Sequence, residues 1–265
     1  MEEKKQSADP KEMSFWDHLD DLRATLFRIA IGIFVCMVLV FANKTLMFDV
    51  IIFGPSGSDF ILYRVLCRLG EMLSMSGLCI EPFQAKFQNI TVAGQFFTHV
   101  STSFWFGLVL SFPWIIYQLW LFVRPALYDN ERAAATKAFW FSSILFYAGV
   151  FTGYMFVFPM AFKFLVTYSI SGVVEEIVTL SSYIEVFVML ILGMGIVFQM
   201  PVLILLLSRI GIVNKAFLRK YRRYAIVIIL ILIAIVTPTP DPATMIIASI
   251  PLFLLYEFSI YICKQ

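Results

Sequence analysis

Residues 24–42 read ATLFRIAIGIFVCMVLVFA, with a single charge, Arg28, near the start. At a rise of 1.5 Å per residue, a helix of these nineteen residues covers about 28 Å, close to the hydrocarbon thickness of a bilayer. The run has no polar face for water, so it reads as a membrane span rather than a surface helix. Its flanks agree. The first 14 residues are polar and charged, and no small-residue cleavage site follows the apolar core, so no cleavable signal peptide is expected.

The rest of the chain has the same character. Of its 265 residues, 60% are hydrophobic and 14% charged, against about 45–50% and about 25% in soluble domains. Five further apolar runs follow: Val100–Val123, Ala138–Phe158, Ile184–Leu207, Tyr224–Val236 and Ala243–Cys263. The fold expected is an all-α integral membrane protein with six spans, forming a single polytopic domain over 1–265. Spans five and six are expected to be short, and a long outer loop covers 43–99. Orientation follows from the basic residues. With the N-terminus in the cytosol, fifteen of the twenty lysines and arginines lie on the inner side, and an even span count returns the C-terminus there.

Few residues inside the spans are polar. Gln199 lies in span four, two residues before Pro201, whose missing N–H leaves the carbonyl of Val197 without its helical donor. Gln199 either satisfies that broken backbone or offers a polar contact to another membrane helix. Ser103, Gly107 and Ser111 in span two, and Gly149 and Gly153 in span three, recur at four-residue spacing and allow close helix packing. Glu257 is the clear acid near the inner end of span six. Cys67 and Cys79 stand in the outer loop, where an oxidising compartment permits a disulfide; they form one or remain two thiols. Cys36 and Cys263 read as apolar filler.

On the cytosolic side two acidic positions interrupt a basic surface. Asp17 and Asp21 lie on one face of an amphipathic segment that runs into span one, while Phe15, Leu19, Leu22 and Leu26 form another face. Asp129 and Glu131 follow Pro125 at the start of span three, where an acid complements the helix dipole. Each acid is either a helix-start carboxylate in water or part of a site for a basic ligand. No metal-ligand spacing, phosphate-binding glycine loop or nucleophile motif occurs, and no carboxylate pair lies within the spans, so neither an enzyme nor a cofactor is expected. A solute transporter would need a midplane site between paired halves, and no such internal symmetry is visible.

The string His18-Leu19-Asp20-Asp21-Leu22-Arg23 resembles the N-terminal motif of the TatC family, the receptor subunit of the twin-arginine translocase. So do Phe122-Val123-Arg124-Pro125-Ala126-Leu127-Tyr128 with Glu131-Arg132, Phe158-Pro159 with Ala161-Phe162, Pro201-Val202, and Thr237-Pro238 with Asp241. The resemblance holds from about Phe15 to the C-terminus. It implies a concave, glove-like bundle in the inner membrane of a bacterium. The implied activity is binding of signal peptides with paired arginines and export of folded proteins driven by the proton-motive force. The implied partners are single-span TatA/TatB-type subunits in an oligomeric complex embedded in membrane lipid, with no nucleic acid.

The residues carried over for the signal peptide are Asp21 and Glu131, with Arg23, Phe122, Pro125, Leu127 and Tyr128 around them. Gln199 and Pro201 are carried over for a partner helix. The chain departs from the family in three places. Asp21 replaces the usual glutamate, Gln199 replaces a glutamate often found in span four, and the first outer loop is longer. Gln199 cannot titrate, so a mechanism needing proton transfer there does not fit this chain, whereas one needing only polar contact does.

Overall fold

The computed structural model describes residues 15–57, 60–72, 87–126, 129–168, 177–209, 211–236 and 242–263. Helix α1 (Phe15–Ala42) lies antiparallel against α3 (Gly94–Val123). The contact runs their whole length: His18 stacks on Phe122 at one end and Phe41 on His99 at the other, with ring centroids 4.5 and 4.0 Å apart. Between them, Trp114 Nε1 donates to the Arg28 carbonyl at 3.0 Å. Gly107 permits this approach, because a Cβ there would stand 2.7 Å from the backbone nitrogen of Met37. Ser103 and Ser111, one turn to either side, are buried too. The small-residue spacing thus serves packing within the chain. The outward face of α1 keeps Phe27, Ile31, Phe34 and Val38 exposed, as a lipid-facing surface requires.

Helix α4 (Asp129–Thr152) continues through a π-helical turn (Gly153–Val157) into α5 (Phe158–Thr167). Pro159 has no N–H to donate back one turn, and the widened turn absorbs that missing bond. The third apolar segment therefore runs past the expected end at Phe158. Helix α6 (Leu180–Val197) is followed by a break at Phe198 and Gln199 and then by α7 (Met200–Arg209). The break sits where Pro201 removes the donor to Val197.

A short helix α8 (Lys215–Lys220), capped by Asn214 Oδ1 accepting from the Phe217 N–H at 2.7 Å, leads into α9 (Arg222–Val236). The last helix is α10 (Pro242–Ile262). Among the described residues, five helical segments are long and apolar enough to cross a membrane: His18–Ala42, Gly94–Val123, Thr136–Thr167, Leu180–Ser208 and Thr244–Tyr261. With 15 residues, α9 reaches about 22 Å, short of the hydrocarbon core. The expectation of a short sixth span is corrected. The 21 residues of α10 reach about 31 Å, since the helix carries Pro251 without breaking.

The segment expected as a long outer loop is not a plain loop. A π-helical turn (Leu46–Ile52) and a 3-10 turn (Gly54–Ser56) precede α2 (Ile61–Met72). Strand β1 (Phe87–Gln88) then pairs in parallel with β2 (Val178–Thr179), joining this segment to the connection before α6. These pieces close over an aromatic core of Phe158, Phe162, Tyr183 and Phe187, all buried. Their backbone carbonyls are held by phenols. Tyr183 Oη donates to the Ile52 carbonyl at 2.6 Å, Tyr154 Oη to Ile51 at 3.0 Å, and Tyr63 Oη of α2 to Pro159 at 2.8 Å. Burial pushes the Tyr63 phenol well above its ordinary pKa.

Candidate functional site

The antiparallel pairing of α1 and α3 decides where the sequence motifs meet. The His18–Phe122 stack pins the first turns of α1 to the end of α3. Immediately beyond Phe122 the chain makes the Arg124–Ala126 turn, and α4 begins at Asp129. The motif around Asp21 and the one around Pro125 therefore occupy one end of the molecule. Asp20, Asp21 and Arg23 are exposed there, as are Arg124 and Pro125, while Phe122 is half-buried under the His18 ring. Asn130 and Glu131 fall in the first turn of α4, and for them the structure describes the backbone. Leu127 and Tyr128 lie outside the described residues, as do Asp241, Thr237 and Pro238.

Beside the acidic positions, Leu19, Leu22, Arg23, Leu26, Phe27 and Ala30 line an open apolar groove of about 430 Å³. The Arg23 guanidinium lies 5.8 Å over the Phe27 ring. This end of α1 thus combines free carboxylate with an apolar strip a few turns long. Such a surface suits a ligand with a cationic head and an apolar continuation.

Gln199 sits apart, at the break between α6 and α7. Its Nε2 donates to the Ser142 carbonyl at 3.2 Å, and Ser142 Oγ donates back to its Oε1 at 2.5 Å. The partner helix touched in this structure is α4 of the same chain. Pro201 is buried. Ser142 was missed in the sequence, where it reads as one small residue among many. The only available signal was that a glutamine at membrane depth must find a partner somewhere.

A second missed pair joins the start of α9 to the end of α10. Arg222 Nε meets Glu257 Oε1 at 2.6 Å. The two stand at nearly equal distances along the chain from the connection between the helices, so antiparallel packing of α9 and α10 brings them level. Cys67 is disulfide-bonded while Cys36 and Cys263 are free; the expected partner, Cys79, lies outside the described residues. Cys263 is buried against Ser208 Oγ at 2.9 Å. Among the described residues, no group of three or more His, Cys, Asp or Glu could hold a metal ion.

Residues 17–251 match the family model described as TatC, Sec-independent protein translocase protein. The TatC of Blattabacterium sp. subsp. Periplaneta americana is 38% identical over 253 residues, covering 95% of each chain. The TatC of Deinococcus radiodurans is 32% identical over 251 residues, covering 94% of this chain and 85% of the relative. Among solved structures, the crystal structure of a twin arginine translocase receptor, TatC, in DDM superposes with a TM-score of 0.70 at 27% identity. The match covers 94% of this chain and all of the other.

Proposed function

The chain belongs to the TatC family of Sec-independent protein translocase proteins, and from that premise we propose that it is the receptor for twin-arginine signal peptides. As a TatC protein it is a translocase component, a transport protein rather than a catalytic enzyme, and a multi-pass protein of the bacterial inner membrane. In the reading proposed, six spans (α1, α3, α4–α5, α6–α7, α9 and α10) form a concave, glove-like bundle with both termini in the cytosol. Single-span TatA/TatB-type subunits join it in an oligomeric complex, and folded cargo crosses using the proton-motive force. The biased distribution of lysine and arginine supports the orientation.

The observation that carries the reading is the docking of the α1 start onto the end of α3 through His18 and Phe122. It sets exposed Asp21 and the first turn of α4, with Glu131, at one end of the molecule. A guanidinium offers a planar fork to a carboxylate, so two acids take the two arginines one each. The apolar groove from Leu19 to Ala30 then receives the hydrophobic stretch that follows them. Arg23, Phe122, Pro125, Leu127 and Tyr128 shape the surround. Asp241 is carried as a family-matched position with no assigned contact.

Gln199 is proposed as a polar contact for a partner helix. It spends one N–H and one lone pair on Ser142, so a second N–H and a second lone pair remain for a neighbour.

The test is export of a twin-arginine substrate by the double variant Asp21→Lys/Glu131→Lys. Two attractive contacts become repulsive, so export is expected to fall below detection while the variant still inserts into membranes at the normal level. Normal export by a correctly inserted double variant contradicts the assignment.

A further inference from the structure

A cleft of about 480 Å³ opens between α8, α9 and α10, lined by Lys215, Arg219, Arg222, Glu257, Ile260 and Tyr261. Three cations face one carboxylate, leaving an excess of two positive charges. The cleft is built rather than incidental. Tyr256 of α10 donates from Oη to the Leu218 carbonyl of α8 at 3.0 Å, and Leu218 is itself buried, so α8 is fixed over the end of the hairpin. The Arg222–Glu257 pair meets through Nε of the guanidinium, whose terminal nitrogens offer further donors. Lys215 Nζ stands 5.9 Å over the Tyr261 ring. Arg219 is exposed and has no ion-pair partner among the described residues.

Next to this cleft lies an apolar groove of about 320 Å³ on the same two helices, with Ile226, Leu230, Ile250, Phe253 and Leu254 in its walls. The two are continuous. Ile226 is one helical turn from Arg222 and Leu230 one turn further, while the Arg222 guanidinium lies 5.5 Å over the ring of Phe253, which lines the groove. A cationic mouth thus opens into a hydrocarbon-lined channel running along the span. Tyr261 lines the mouth, and Tyr221 and Tyr224 lie within two residues of Arg222 in the chain; all three are exposed, an aromatic setting that suits a membrane–water interface.

We propose that this site binds an anionic glycerophospholipid, its phosphate held by Lys215, Arg219 and Arg222 and one acyl chain lying in the groove. Charge complementarity selects the occupant. A zwitterionic headgroup would bring its own cation against three others, and a soluble phosphate would leave the groove empty. On the orientation proposed above, the lipid belongs to the inner leaflet. Bound there, it extends the apolar surface beside α9, the helix too short to reach across the bilayer alone.

The purified full-length chain, incubated with equal amounts of dioleoylphosphatidylglycerol and dioleoylphosphatidylcholine, is examined by native mass spectrometry. The anionic lipid is expected to dominate the retained population. In Lys215→Gln/Arg219→Gln the ratio should fall about twenty-fivefold, each basic residue near the surface contributing a factor of about five. Equal retention of the two lipids by the unaltered chain, or an unchanged ratio in the variant, overturns the proposal. So does displacement of the lipid by millimolar glycerol phosphate, which assigns the cleft to a soluble anion.

A photoreactive residue at Ile250, in an otherwise unaltered chain, provides a measurement independent of how the double variant folds. Capture of lipid supports the proposal, and capture of polypeptide alone assigns the groove to a protein helix and overturns it. Neither measurement involves a signal peptide or export, so failure here leaves the receptor reading standing.

Discussion

Single atoms set the tolerances of this bundle at Gly107 and Gly149. At Gly149 an added Cβ would stand 2.6 Å from the Met194 carbonyl oxygen and 2.8 Å from Phe198. The first obstacle is backbone of α6, which cannot swing aside as a side chain would. Gly149→Val should therefore force α4 and α6 apart and destabilise the protein by about 1–3 kcal/mol, the usual cost of overpacking. A thermal-unfolding midpoint in detergent that falls clearly below that of the unaltered chain is the expected result; an unchanged midpoint would mean that the two helices are not in contact there. The use of these glycines was legible in the sequence, because four-residue spacing of small side chains on an apolar helix has few other purposes. The destination of Gln199 was not. A glutamine announces that it needs a partner, but nothing in its surroundings identifies Ser142, 57 positions earlier.

The elements divide along similar lines. Spans one and two were readable because their apolar runs are unbroken. The break before α7 was readable because Pro201 removes a specific hydrogen bond. The π-helical turn at Gly153–Val157 was hidden, since it shifts backbone register without altering the apolar pattern, and the third segment was accordingly ended too early. In the outer segment, α2 combines buried Leu62 and Tyr63 with exposed Arg64 and Arg68, a pattern masked by the mixed sequence around it. The two-residue pairing of β1 with β2 is too short to leave a periodic signal at all. The bonded state of Cys67 can be checked by counting thiols under denaturing, non-reducing conditions. Of the chain's four cysteines, two should react, Cys36 and Cys263, with all four reacting after reduction. Four reactive thiols before reduction would contradict the bond and leave the outer segment without its staple.

At the scale of the molecule, function follows from which ends of the helices are brought together. Antiparallel packing of α1 on α3 carries a motif from the chain's beginning to one more than a hundred residues later, joined by a ring stack between His18 and Phe122. Neither motif alone exceeds an ordinary acidic helix start, and in the reading proposed it is their meeting at one end of the molecule that makes a site for a basic ligand. The sequence contains both halves, and only the family resemblance links them, since nothing local to either motif points to the other. The basic cleft beside Glu257 was visible only as a charged loop, because its depth and its continuity with an apolar groove come from the α9–α10 hairpin. The proposed recognition of a signal peptide at the α1–α4 end is open to one direct measurement. A photoreactive residue at Asn130, next to Glu131, is irradiated in membranes with a signal peptide carrying paired arginines or with the same peptide carrying paired lysines. Recognition by carboxylates that need the guanidinium fork predicts a strong crosslink to the arginine peptide and little to the lysine peptide. Equal labelling of the two, with the protein folded and inserted, would contradict it and return Asp21 and Glu131 to the role of solvated helix starts.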